Sequence, residues 1–176
     1  MTSSWFDFAA HHTLSVEGGY SDHNDDRGGK TMRGITERLA RAHGYKGEMR
    51  NLSAAKAKQI LKAEFWTPLR LDEIDSRYIA AEIFDTAVNS GPTQAVRIAQ
   101  EALRWFRVPC RVDGRMGPAT IGAINSLLPS KEKHLYAALN LRQGMRYVAI
   151  IEADASQSVF FSGWMRRLAR FPEMVQ

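Results

Sequence analysis

One stretch frames everything else in this chain of 176 residues. Residues 20–35 are polar and glycine-rich, and they contain Asn24-Asp25-Asp26-Arg27-Gly28-Gly29. Such a run signals turns: Asn and Asp bond their own backbone, and glycine reaches positive φ without a Cβ clash. On either side, apolar residues recur at three- and four-residue spacing, the period of a helix with one buried face. The expected fold is therefore mainly α, with one small β-hairpin or irregular loop near residues 20–35.

Punctuation marks the helices. Ser3 or Ser4 caps a helix reaching about residue 16, with Trp5, Phe8 and Ala9 recurring along it. Glu17 falls at its end, and Gly18-Gly19 stops it. Thr36 caps a short helix ending at Gly44, and Ser53 caps 54–66, which Pro68 closes. Ser76 caps 77–89, with Ile79, Ala80, Ile83, Phe84, Ala87 and Val88 on one side, and Gly91-Pro92 ends it. Pro92 or Thr93 opens the next helix, to about 106. A loop at 108–117 carries Pro109, Asp113-Gly114 and Gly117. Pro118 begins a short helix to 128, and Ser130 caps a long one to about 153. No Pro- or Ser-rich linker divides the chain, so regions 1–91 and 92–176 are expected to pack as one unit.

Charge narrows the partners. The net charge of +5 and a pI near 9.6 favour an anionic partner: nucleic acid, a membrane surface or a cell-wall polymer. The basic residues are interspersed with acids, which equally describes a mixed solvated surface. No recognition helix or RNA-binding motif is visible, so nucleic acid is not expected. The single Cys110 excludes an intramolecular disulfide and cysteine-cluster zinc sites. His11 and His12 are adjacent and cannot share a helix face, and His23 and His43 lack ligand spacing. Asp113-Gly114-Arg115-Met116-Gly117 lacks the carboxylates of a calcium loop and reads better as a turn locking two helices. No metal or cofactor is expected. There is no apolar run of roughly 18 residues and no basic leader at the start. Synthesis in the cytoplasm is thus expected, with any outside target reached by other means. Residues 159–171 combine Phe160, Phe161, Trp164, Leu168 and Phe171 with Arg166, Arg167 and Arg170. This stripe either touches membranes or packs on the body of the protein.

The chemistry concentrates around Glu17. A glutamate at the end of an apolar helix can be partly desolvated, which raises its pKa and suits a general acid. Gly18-Gly19 leaves room for a large ligand. Asp26 sits nine residues on and Thr31 five further. A hairpin returning beside the glutamate would supply the second carboxylate of glycoside hydrolysis and a hydroxyl. The same residues also suit a plain helix end and a plain turn.

Glu17-Gly18-Gly19-Tyr20, followed by Asp26-x-Gly28-Gly29-x-Thr31-x-x-Gly34-Ile35-Thr36, resembles the signature of glycoside hydrolase family 108. These are lysozyme-like N-acetylmuramidases, many of them phage endolysins. The resemblance continues in Phe65-Trp66-x-Pro68 and Asp85-x-Ala87-Val88-Asn89-x-Gly91. Val112-Asp113-Gly114-x-x-Gly117-x-x-Thr120 is similar to the peptidoglycan-binding-like region that follows in this family. Phe161-x-Gly163-Trp164-x-x-Arg167 fits its end. The resemblance implies a lysozyme-like catalytic region at 1–91 and a helical peptidoglycan-binding-like region at 92–176. It also implies cleavage of the β-1,4 bond between N-acetylmuramic acid and N-acetylglucosamine, with Glu17 as the catalytic acid. Asp26 and Thr31 complete the implied catalytic group, although Asp25 and Thr36 compete for their places. Arg27 stands where the family usually has proline, which loosens that turn.

Tyr20, Thr36, Trp66 and Asn89 are the expected substrate contacts. For Trp66 a place in the core, and for Asn89 a helix cap, are the alternatives. The expected partner is bacterial peptidoglycan, met by a monomer after holin-type release. The rival readings are a lytic transglycosylase and a non-catalytic wall-binding or secretion-accessory protein.

Overall fold

The computed structural model describes residues 4–16, 20–21 and 31–168. Helix α1 (Trp5–Val16) opens where the Ser4 hydroxyl accepts the Asp7 N–H at 3.1 Å, the cap that the serine announced. The polar stretch then forms a small antiparallel sheet of β1 (Tyr20–Ser21), β2 (Thr31–Met32) and β3 (Ile35–Thr36), in that order. Arg33 and Gly34 join β2 to β3 with φ of 54° and 74°. Both central residues of a two-residue type I′ turn need positive φ, which glycine adopts freely and arginine only under strain. Met32 pairs with Tyr20 and Ile35, and Thr31 pairs with Ser21 and Thr36. Ile35 is fully buried and Met32 packs on the core, so the sheet is anchored through that row.

Helix α2 (Glu37–Ala42) follows at once, capped by Thr36, whose hydroxyl accepts the Leu39 N–H at 3.3 Å. Helix α3 (Ala54–Leu61) is capped by Ser53 and runs on as a π-helical turn, Lys62–Trp66. That turn carries Phe65 and Trp66 into the interior. Helix α4 (Arg77–Ser90) lies at the centre, where residues 79–87 are all buried. A helix closed in on every side needs neighbours all round, and α4 packs on α1, α5 and α6. Gly91, at φ 87°, ends α4, and Pro92 opens α5 (Pro92–Trp105) at its first turn.

Helix α6 (Pro118–Ala153) spans the two helices expected at 118–128 and 130–153. The two meet at a kink, because Pro129 cannot donate to the ladder and Lys131 leaves helical geometry (φ −132°, ψ 15°). A 3₁₀ turn, Ala155–Phe160, leads to α7 (Phe161–Leu168), which packs on α6. The loop before α4 is tied to α6 twice. Asn125 accepts the Asp75 N–H at 3.1 Å and donates to Glu73 O at 2.9 Å, and Ser76 bonds Glu132. One cluster of buried apolar residues runs from Phe6 to Leu139 and so draws on both halves of the chain.

Candidate active site

The buried face of α4 is not wholly apolar: Glu82, Asp85 and Thr86 lie within it. A carboxylate removed from water requires a cation and hydrogen bonds. Asp85 has both. Arg167 of α7 donates from Nη1 to Oδ1 at 3.0 Å and to Oδ2 at 3.2 Å, and Thr13 of α1 donates its hydroxyl to Oδ1 at 3.1 Å. The Asp85 and Arg167 side chains are 4% and 9% exposed, so the pair is shielded from solvent. One carboxylate thus joins three helices whose contributing residues are 72 and 82 positions away in sequence.

A second joint lies one turn along α4. The Tyr147 hydroxyl donates to Asn89 Oδ1 at 2.9 Å, and the Tyr147 ring stacks on Trp164 with centroids 4.8 Å apart and planes 12° from parallel. Asn89 also lines a cavity of about 370 Å³ with Phe160, Ser162, Trp164 and Arg166. The cap of α4 is Gly91, so Asn89 does not serve as the helix cap. Its amide braces the C-terminal region and borders an open cavity.

The other expected site residues fall as follows. Helix α1 ends at Val16, directly before Glu17 in sequence; Glu17 and Asp26 themselves lie outside the described residues. Tyr20 is in β1, paired with Met32. Thr31 is half-buried on the central strand. Thr36 stands in register with it and spends its hydroxyl on the cap of α2. Trp66 corrects the sequence reading. It is fully buried, with its ring edge-on to Phe6 at 5.5 Å and to Phe84 at 5.6 Å. A sugar has no route to that ring, so Trp66 is a core residue and not a substrate contact.

Two features went unread in the sequence: the Thr13 hydroxyl and the pairing of Asp85 with Arg167. A signal was present, since Asp85 sits in a helix whose sequence is mostly apolar, and a buried charge has to find a partner. Which cation it finds is decided across 82 residues of chain.

The loop at 108–117 resolves as a lock, as its composition suggested. Gln100, fully buried on α5, accepts the N–H groups of Asp113 and Gly114 at 3.0 and 2.9 Å. Its amide nitrogen donates to Asp113 Oδ1 at 2.9 Å, Thr120 Oγ1 at 3.1 Å and Arg115 O at 3.2 Å. Gly114 has φ 75°, and a Cβ there would stand 2.7 Å from the Thr93 methyl, so glycine is required twice over. The hydrogen bonds from Gln100, and then from the Arg115 N–H, hold the Asp113 carboxyl below the usual carboxylate range.

A mainly helical fold with a small sheet after its first helix is consistent with a lysozyme-like fold. Residues 10–91 match the family described as Glycosyl hydrolase 108, and residues 94–169 match the one described as Predicted Peptidoglycan domain. The chain is thus similar to glycosyl hydrolase family 108 over its first region, with a match to a peptidoglycan domain after it. The solved structure of Brucella abortus SagA superposes with a TM-score of 0.74 at 28% identity, covering 94% of this chain and 90% of that one. No curated protein is matched by this chain. Together these findings support a glycoside hydrolase acting on peptidoglycan.

Proposed function

We propose that this chain hydrolyses the β-1,4 bond between N-acetylmuramic acid and N-acetylglucosamine, with Glu17 as the general acid. One observation carries the reading: the helix leading into Glu17 is tied at Thr13 to a buried ion pair on α4 and α7. A general acid has to be held rigidly and kept protonated near neutral pH. Tying α1 at Thr13 gives the segment that leads into Glu17 a fixed frame, which serves the first requirement.

In this scheme Glu17 gives its proton to the glycosidic oxygen as the bond from C1 breaks. Positive charge builds on the ring, water adds at C1, and that water gives up a proton. Asp26 stabilises the charge or orients the water, and Thr31 helps to place it. Tyr20, Thr36 and Asn89 are assigned to the glycan or its appended peptide. No metal or organic cofactor takes part in these steps. The basic chain suits an anionic wall polymer, which it reaches after holin-type release.

The test is clearance of purified peptidoglycan by the parent and by Glu17→Gln. General acid catalysis is worth roughly 10²- to 10⁴-fold, so loss on that scale is expected, with sacculus binding retained. The parent's products should carry hydrated reducing ends by mass spectrometry. Anhydro ends would transfer the protein to the lytic transglycosylases. Undiminished clearance by Glu17→Gln would overturn the assignment.

A further inference from the structure

The matched peptidoglycan region ends in α7, and α7 reaches into the matched hydrolase region with a buried cation. A buried ion pair is a poor way to add stability, because well-packed apolar residues in its place are often neutral or better. What it provides is geometry. Arg167 meets both oxygens of Asp85 from one nitrogen, and the Oδ1 atom it bonds also accepts the Thr13 hydroxyl. Thr13 stands four residues before Glu17 in sequence and three before Val16, where α1 ends. Thr13 is 1% exposed, so no water competes for that hydrogen bond. Asn89, one turn along α4, is gripped by Tyr147 and through it by Trp164. The C-terminal region therefore holds α4 at two successive turns, and α4 holds the end of α1.

From this geometry we infer that Arg167 is a positioning residue for the proposed acid, acting through Asp85 and Thr13. Region 94–169 is then part of the catalytic unit and not a detachable wall-binding module. The inference rests on the assignment of Glu17 as the acid.

Three variants and a control test it on insoluble peptidoglycan. Asp85→Leu combined with Arg167→Met replaces the pair by apolar side chains of similar size, and Thr13→Val removes only the hydroxyl. Misplacement of a reacting group by about 1 Å can cost 10²-fold, so kcat is expected to fall roughly 10- to 100-fold in both. KM and sacculus binding should stay within about twofold, and Thr13→Ser, which keeps the hydroxyl, should restore most of kcat. Thr13→Val decides the matter if the double variant fails to fold. Parental kcat in a folded Thr13→Val protein overturns the inference. So does a loss that Thr13→Ser shares in full, because the hydroxyl would then be irrelevant. Glu17→Gln, run alongside, separates the two ideas. If it is inactive while Thr13→Val is fully active, the acid stands and the positioning role falls; if it is active, both fall.

Discussion

Two of the polar knots among the described residues, at Gln100 and at Asp85, work differently. The knot at Gln100 is neutral and nearby in sequence: its partners at 113–120 lie 13 to 20 residues away. It closes one loop between α5 and α6. The knot at Asp85 is charged, and its partners lie 72 and 82 residues away. It closes the whole chain, bringing the first and last described helices onto the central one. The first knot makes a turn rigid, and the second decides where two regions sit relative to each other. Similar hydrogen-bonding chemistry therefore serves local architecture in one place and the proposed catalytic frame in the other.

The contrast can be broken by mutation. Asp85→Ala leaves Arg167 buried without its carboxylate, which typically costs about 3–5 kcal/mol. Urea unfolding should show that loss, and turnover of the remaining folded protein should fall as well. A smaller effect is expected from Gln100→Ala. Leaving the Asp113 and Gly114 N–H groups without their acceptor costs about 1–3 kcal/mol. Clearance per folded molecule should stay at the parental level, since the lock bonds no described residue of the proposed site. Equal damage to turnover from both substitutions would erase the distinction between the knots.

The smallest effect is on pH dependence. The folded Asp113 carboxyl titrates below its unfolded value, so its contribution is present above the ordinary carboxylate pKa of about 3.9. It is lost as pH falls through the depressed folded value. Asp113→Asn should therefore flatten the acid limb of the stability curve and leave the neutral region little changed. An unaltered acid limb would mean that Gln100 does not favour the charged form.

Legibility followed the range of the forces involved. Caps at Ser4, Thr36, Ser53 and Ser76, and the Gly91-Pro92 break, were readable because a cap satisfies N–H groups two or three residues away. The break near Pro129 was readable too, since a missing donor shows where a ladder weakens, and two helices meet there at a kink. Trp66 was misassigned because an aromatic beside a helix end has the same signature whether a sugar or Phe84 covers it.

Composition and spacing alone determined a mainly helical chain, a turn-rich hairpin or irregular loop after the first helix, a glutamate following that helix, and a locking turn at 113–117. These depend on backbone hydrogen bonds and side-chain period, which act over a few residues. Only the tertiary structure decided that Asp85 is neutralised by Arg167, that Thr13 joins them, and that Trp66 faces inward. A buried charge must be paired, but no local rule names its partner. That choice belongs to the packing of α1, α4 and α7, where the cost of stranding an ion outweighs any preference of the segments themselves.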